Sequence, residues 1–203
     1  MKRISFLIAG LILVSSIHGR AAILIEDGKA TQTTKQKTYR THSDGLSMRK
    51  VRRAGIGASA NGPLGFMGAN LELNFTDRWG FGGGFGGSSN YQAFTFQIKH
   101  VLAGEWLLPY LSLGYSKWYT AGSPKGPIRE TTPAFLAQRF MSDREKDTGD
   151  FAVHFLYPSF GLQYVQLTGP WAGFSVFADM VLLVEIEDFE SVATGTLGMM
   201  YYF

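Results

Sequence analysis

Apolar and polar positions follow two different rules along this chain. Residues 22–52 show no period, and few of them are aromatic. From Arg53 onward, apolar residues recur at every second position, and short Gly/Pro/Asn/Asp/Ser breaks interrupt them. Period-2 alternation is the signature of a β-strand with one face in an apolar setting. Eight segments carry it: 53–60, 64–75, 79–88, 91–102, 107–119, 151–167, 172–186 and 192–203. In the second, Met67, Ala69, Leu71, Leu73 and Phe75 share one face, while Asn70, Glu72 and Asn74 share the other. In the fourth, Phe94, Phe96 and Ile98 oppose Thr95, Gln97 and Lys99. The sixth begins apolar on both faces, and in the seventh Phe177 and Val181 break the rule.

The connections have a sense of direction. Those at 76–78, 103–105 and 168–170 are tight, and a tryptophan follows each: Trp79, Trp106 and Trp171. In an up-and-down meander the connections after strands two, four and six lie at one end. The three tryptophans therefore share a rim with Tyr201 and Phe203. Trp and Tyr gather where a protein passes from hydrocarbon to headgroups. The longest connection, 120–150, belongs to the opposite rim; it reads as polar and charged, with a helical stretch near 134–141. The expected fold is all-β, an eight-stranded antiparallel up-and-down transmembrane β-barrel. Closure pairs every backbone polar group within the protein, which lipid demands, and the segments have the length a tilted spanning strand needs.

Composition strengthens this picture. The charged fraction is 17% and the aromatic fraction 14%, with 25 glycines and no cysteine. A soluble domain would carry about 25% charged residues. Without cysteine there is no disulfide framework and no thiol nucleophile. At the N-terminus, Lys2 and Arg3 precede an apolar run from Ile4 to Val14 and a small-x-small pattern at Gly19-Arg20-Ala21. That is the layout of a cleaved signal peptide, assigned to residues 1–21. Its removal takes away Lys2, Arg3 and Arg20, and the net charge of +3 falls to 0. The basic balance is thus no argument for nucleic acid. Eight Lys/Arg against Glu26, Asp27 and Asp44 leave a local +5 in residues 22–53. Residues 22–52 read as a flexible basic arm, and 53–203 as the barrel.

The last strand is the most specific feature. It reads "VATGTLGMMYYF", with Leu197, Met199, Tyr201 and Phe203 on one face and Thr194, Thr196 and Gly198 on the other. In this the chain resembles the small outer-membrane β-barrels of the OmpA, OmpX and OmpW kind, over residues 53–203. The resemblance implies a bacterial outer-membrane location and recognition of Leu197, Met199, Tyr201 and Phe203 by the barrel-assembly machinery. It also implies outer-membrane lipids and lipopolysaccharide as surroundings, and a monomer without cofactor. One departure stands out: only one of the connections at the far rim is long.

Facing polar residues inward puts Glu72, Lys99, Asp179 and Glu185 in the lumen. Eight strands leave a lumen just wide enough for side chains to fill it, and charges buried there must pair. The expected arrangement is a Glu72/Asp179–Lys99 network; a gated polar path and a catalytic carboxylate pair are the alternatives. The expected function is non-enzymatic: a structural or interaction role, or narrow passage of small solutes. Two other readings stay open. A lipid A-modifying enzyme would need a serine activated by histidine; His154, with Ser142, Asp143 and Asp150 nearby in sequence, is the candidate, while His42 and His100 are placed less well. The other is a soluble periplasmic barrel that binds a ligand. No His/Cys cluster suggests a metal.

Gly82-Gly83-Gly84-Phe85-Gly86-Gly87 matches G-x-G-x-x-G. A dinucleotide loop requires a helix to follow, but here another alternating segment follows. The better parse is a strand with Trp79, Phe81 and Phe85 outward and Gly80, Gly82, Gly84 and Gly86 inward, leaving room for bulk such as Tyr110 and Phe177.

Overall fold

The computed structural model describes residues 42–120, 122 and 126–203, together with the backbone of 24–26 and 29–31. The signal-peptide reading of 1–21 lies outside the described residues. In the N-terminal unit, β1 (Leu24–Glu26) and β2 (Lys29–Thr31) pair as a short antiparallel ribbon.

The barrel unit contains the eight strands the alternation predicts. They are β3 (Ala54–Ala60), β4 (Met67–Asn74), β5 (Trp79–Gly87), β6 (Tyr91–Val101), β7 (Leu107–Thr120), β8 (Ala152–Val165), β9 (Phe174–Glu185) and β10 (Ser191–Tyr202). Each pairs antiparallel with its chain neighbour, and β10 closes on β3 through Leu197↔Ala60 to Tyr202↔Gly55. Closure removes every sheet edge, which is what makes such a sheet viable in lipid. The outward positions are apolar and exposed: Leu71 and Leu73 on β4, Leu111 and Leu113 on β7, Phe160 and Leu162 on β8, Leu197 and Met199 on β10. A water-soluble barrel would not leave so extensive an apolar surface uncovered. This is the outer surface of a membrane-spanning barrel.

Two departures from the sequence reading concern the ends. Residues 42–52 are not a flexible arm. Gly45–Val51 form helix α1, with Asp44 as N-cap accepting from the Ser47 amide at 2.7 Å. Met48 and Arg49 are fully buried. The Gly45 amide donates to the Glu105 carbonyl, and Arg52 Nη1 to the Tyr202 carbonyl at 2.7 Å, so the segment is tied to the end that carries the short turns. Net charge hid this: seven residues are too few to show a helical period, and the buried arginine counts as basic character in a composition tally.

At the other end the long connection is not simply polar. Leu136–Phe140 form a turn of π-helix and Asp143–Thr148 form helix α2. Leu136, Phe140 and Met141 are buried together with Trp118, Phe155 and Leu183 from the strands. The β3–β4 connection also folds inward, through the 3-10 turn Gly62–Leu64. Its Pro63 carbonyl accepts from Ser116 Oγ at 2.6 Å and Trp118 Nε1 at 2.8 Å. This is why β4 starts at Met67 rather than at residue 64.

Candidate functional site: the plugged lumen and its rims

Strand parity points Glu72 of β4 and Lys99 of β6 inward, and both are buried. They meet: Lys99 Nζ lies 3.1 Å from Glu72 Oε2. The other carboxylate oxygen, Oε1, takes Arg49 Nη1 of α1 at 2.7 Å. Glu72 therefore bridges two cations, and one of them comes from the segment read as an arm. Arg49 Nε donates onward to the Asp77 carbonyl at 3.0 Å. Lys99 donates to Gln163 Oε1 at 2.7 Å, and Gln163 Nε2 reaches Ser175 Oγ at 2.7 Å and Tyr202 Oη at 2.9 Å. The Lys99 ammonium also lies 4.1 Å from the centre of the Tyr110 ring, a cation–π contact.

Asp179 does not pair directly with Lys99. Its Oδ1 accepts from the Tyr110 hydroxyl, and the Tyr110 ring, under the Lys99 ammonium, links the two. Glu185 does not join the network at all. It ends β9 at the far rim, opposite Phe155. The set that fills this half of the lumen is Arg49, Glu72, Lys99 and Asp179: two cations and two carboxylates, balanced in formal charge. In a low-dielectric interior that balance is needed, because an unpaired charge there costs several kcal/mol.

The glycines make the space. A Cβ on Gly80 would stand 3.0 Å from Arg49 Nη2 and 3.2 Å from Glu72 Oε1. On Gly84 it would meet Leu64 Cδ1 at 2.7 Å and the Ala69 carbonyl at 2.8 Å. The bare wall of β5 thus receives Arg49 at one end and Leu64 at the other. The bulk of Tyr110 and Phe177 lies elsewhere, against Gly161 and Gly198. Between the two plugs remains a cavity of about 40 Å³, lined among others by Ser59, Asn70, Thr95, Gln97 and Tyr157. That volume holds on the order of three waters.

The aromatic rim is at the α1 end. Trp79 opens β5, Trp106 precedes β7 and Trp171 lies in the turn before β9; all three are exposed. Tyr201 pairs with Ile56 and Phe174, and the Phe203 amide donates to the Ala54 carbonyl at 2.9 Å. Leu197, Met199, Tyr201 and Phe203 all face outward and are exposed.

His154 lies on the outward face of β8. Its Nδ1 is 2.6 Å from the Tyr115 hydroxyl. Ser142 is occupied elsewhere, as the N-cap of α2 in a reciprocal capping box with Glu145. His100 stacks on Trp79, ring centres 4.3 Å apart. Among the described residues no group of three or more His, Cys, Asp or Glu is placed to hold a metal.

No protein-family model matches the chain, and no curated protein does. Among solved structures, the outer membrane protein Ail of Yersinia pestis, in a phospholipid bilayer nanodisc, is similar to it at 16% identity with a TM-score of 0.40; the match covers 75% of this chain and 99% of Ail. The chain itself is a closed, eight-stranded, up-and-down β-barrel whose outward face is an apolar belt, and its last strand resembles those of the small outer-membrane barrels.

Proposed function

We propose that the protein is an outer-membrane barrel with a sealed lumen, non-enzymatic, acting through its outer surfaces as a structural or interaction element. One observation carries the reading: the lumen is closed at both ends, with only a cavity of about 40 Å³ left between the two plugs. Helix α1 and the Arg49–Glu72–Lys99 cluster close one half, and Leu64, Trp118, Phe140 and Phe155 close the other. A solute path would require both plugs to leave together. Charges packed at hydrogen-bond distance and an interdigitated aromatic cluster both oppose that.

The aromatic rim with its short turns is then the periplasmic side, and the long connection the outer side, as in bacterial barrels of this architecture. His154 is engaged by Tyr115 and Ser142 by Glu145, so the Ser142–His154 pair that the lipid A-modifying alternative would use is not formed.

Planar-bilayer recording on the refolded full chain tests the reading. Current indistinguishable from protein-free membranes is expected. A steady ohmic conductance that scales with protein inserted would sink the sealed-lumen reading and restore a narrow pore.

A further inference from the structure

The strands of the barrel carry one charged side chain on their outward face. Among all outward-facing positions of β3 to β10, Lys117 is the only Asp, Glu, Lys or Arg. It is not isolated. The strand register places Phe94 beside it on β6 and His154 beside it on β8. Tyr115 and Tyr119 flank it two residues away on its own face, with Phe94 between their rings at 6.2 and 6.4 Å from centre to centre. Gln92 pairs with Tyr119. No carboxylate among the described residues makes a salt bridge with Lys117.

Its height on the barrel gives the patch meaning. Lys117 is ten residues along β7 from Leu107, which follows the girdle residue Trp106. Strand rise and a tilt of about 40° convert that to roughly 25 Å, the height of the apolar band of such barrels. Leu111 and Leu113 fill the interval on the same face. Lys117 and His154 therefore sit where hydrocarbon gives way to headgroups. The β9–β10 turn at the same end carries Glu187, Asp188 and Glu190, so the rim is acidic in that sector and basic in this one.

From this placement we infer that Lys117 and His154, framed by Phe94, Tyr115 and Tyr119, form a site for the phosphate group of an anionic membrane lipid in the outer-side leaflet. The ammonium supplies the charge. In the tautomer where the Tyr115 phenol donates to Nδ1, the other ring nitrogen of His154 carries the proton and is a donor for a phosphate oxygen. The aromatics pack against the proximal part of the acyl chains, as interfacial aromatic residues do. The inference rests on the membrane-spanning orientation proposed above. It differs from simple snorkelling, in which a lysine reaches any polar headgroup without preference.

The full chain, refolded in neutral detergent, is titrated with dioleoyl phosphatidic acid and with dioleoyl phosphatidylcholine, and bound lipid is counted by native mass spectrometry. The wild type is expected to favour the phosphatidic acid. The double variant Lys117→Gln/His154→Gln should lose about tenfold of that preference, the scale of one charge-assisted contact. Lys117→Arg should keep it. Heat-modifiable migration on gels, unchanged in each variant, verifies folding, since these side chains face outward. A double variant that folds and keeps the full preference overturns the site. So does competition by inorganic phosphate at equal concentration, which would mark a site for soluble anions. Failure of the wild type to float with liposomes would instead overturn the membrane orientation, and the lipid site with it.

Discussion

At the aromatic-rim end the lumen is filled by charges that satisfy one another, and at the outer end by rings and aliphatic side chains. Arg49, Glu72, Lys99 and Gln163 form a chain of contacts between 2.7 and 3.1 Å. Trp118, Phe140 and Phe155 meet edge to face, with ring centres at 5.3 Å for Trp118–Phe155 and 4.9 Å for Phe140–Phe155. The two halves close the same tube by different physics. Directional pairs lose most when one partner goes, because the others are left buried and unpaired. An apolar cluster loses in proportion to the volume removed. The first is all-or-none and specifies how α1 docks; the second is graded and tolerates change.

The glycine wall of β5 serves both halves, so it offers the largest single disruption. Gly84→Leu places a side chain where a Cβ alone would already stand 2.8 Å from the Ala69 carbonyl and 2.7 Å from Leu64. Loss of the folded, heat-modifiable form is expected. Gly83→Leu faces lipid, where the nearest atom to a Cβ is Phe96 Cδ1 at 3.4 Å, and should assemble normally on the same gel. Equal assembly of the two would break the inward–outward parity on which the description of β5 depends.

Next in size is Glu72→Gln. It removes one carboxylate and strands two cations, at about 3–5 kcal/mol. The expected outcome is a lowered midpoint of urea unfolding in lipid vesicles. Replacing the set together, as Arg49→Met/Glu72→Leu/Lys99→Met, removes the stranded charges and should recover most of that loss. If single and triple variants are equally damaged, the network is not what closes this half.

How much of this the sequence discloses depends on distance along the chain. The eight strands are legible because alternation is local, and so are the inward positions of Glu72 and Lys99. The rule that polar residues face inward holds less well in the half that is closed by rings, where inward Ser116 and Glu185 stand among apolar side chains. Val153, Phe155 and Leu183 face inward and are apolar because a connection more than ten residues away folds onto them. No period within β8 or β9 records that, although the doubly apolar start of β8 and the exception at Val181 are its trace. Arg49 was hidden for a similar reason. Its partner Glu72 is 23 residues away, and its helix spans seven residues. Asp179 faced inward as its parity implied, but its partner is a phenol, and no charge count leads to Tyr110.

In the outer half, Phe140→Ala removes a ring packed on Phe135 and Phe155. A loss of about 3 kcal/mol is expected, the low end for a buried Phe→Ala, because the long connection can settle into the gap. Because the strands do not depend on this ring for pairing, the barrel should still form. The effect should appear as faster proteolysis within 126–150 while the strands stay protected. Damage as severe as that of Glu72→Gln would erase the contrast between a graded and an all-or-none half.

The smallest effect is at the cap of α1, and it reports on docking alone. The Ser47 amide, donating to Asp44 Oδ1 at 2.7 Å, holds that carboxyl below the usual carboxylate range. A lowered value in the folded state means that the cap's contribution is complete above the unfolded value, about pH 4, and is lost as pH falls through the folded one. Asp44→Ala should cost about 1 kcal/mol, which is about a fivefold loss of amide-exchange protection in residues 45–51 at pH 7. At pH 3 the difference between wild type and Asp44→Ala should shrink, since protonation weakens the same bond. Asp44→Asn keeps an accepting oxygen and cannot titrate, so its protection, corrected for intrinsic exchange, should match wild type at pH 7 and change little at pH 3. Should Asp44→Ala exchange no faster than wild type at pH 7, the helix would be held by Arg49 and Met48 without help from its cap, and the girdle-end plug would be as indifferent to local chemistry as the apolar cluster opposite.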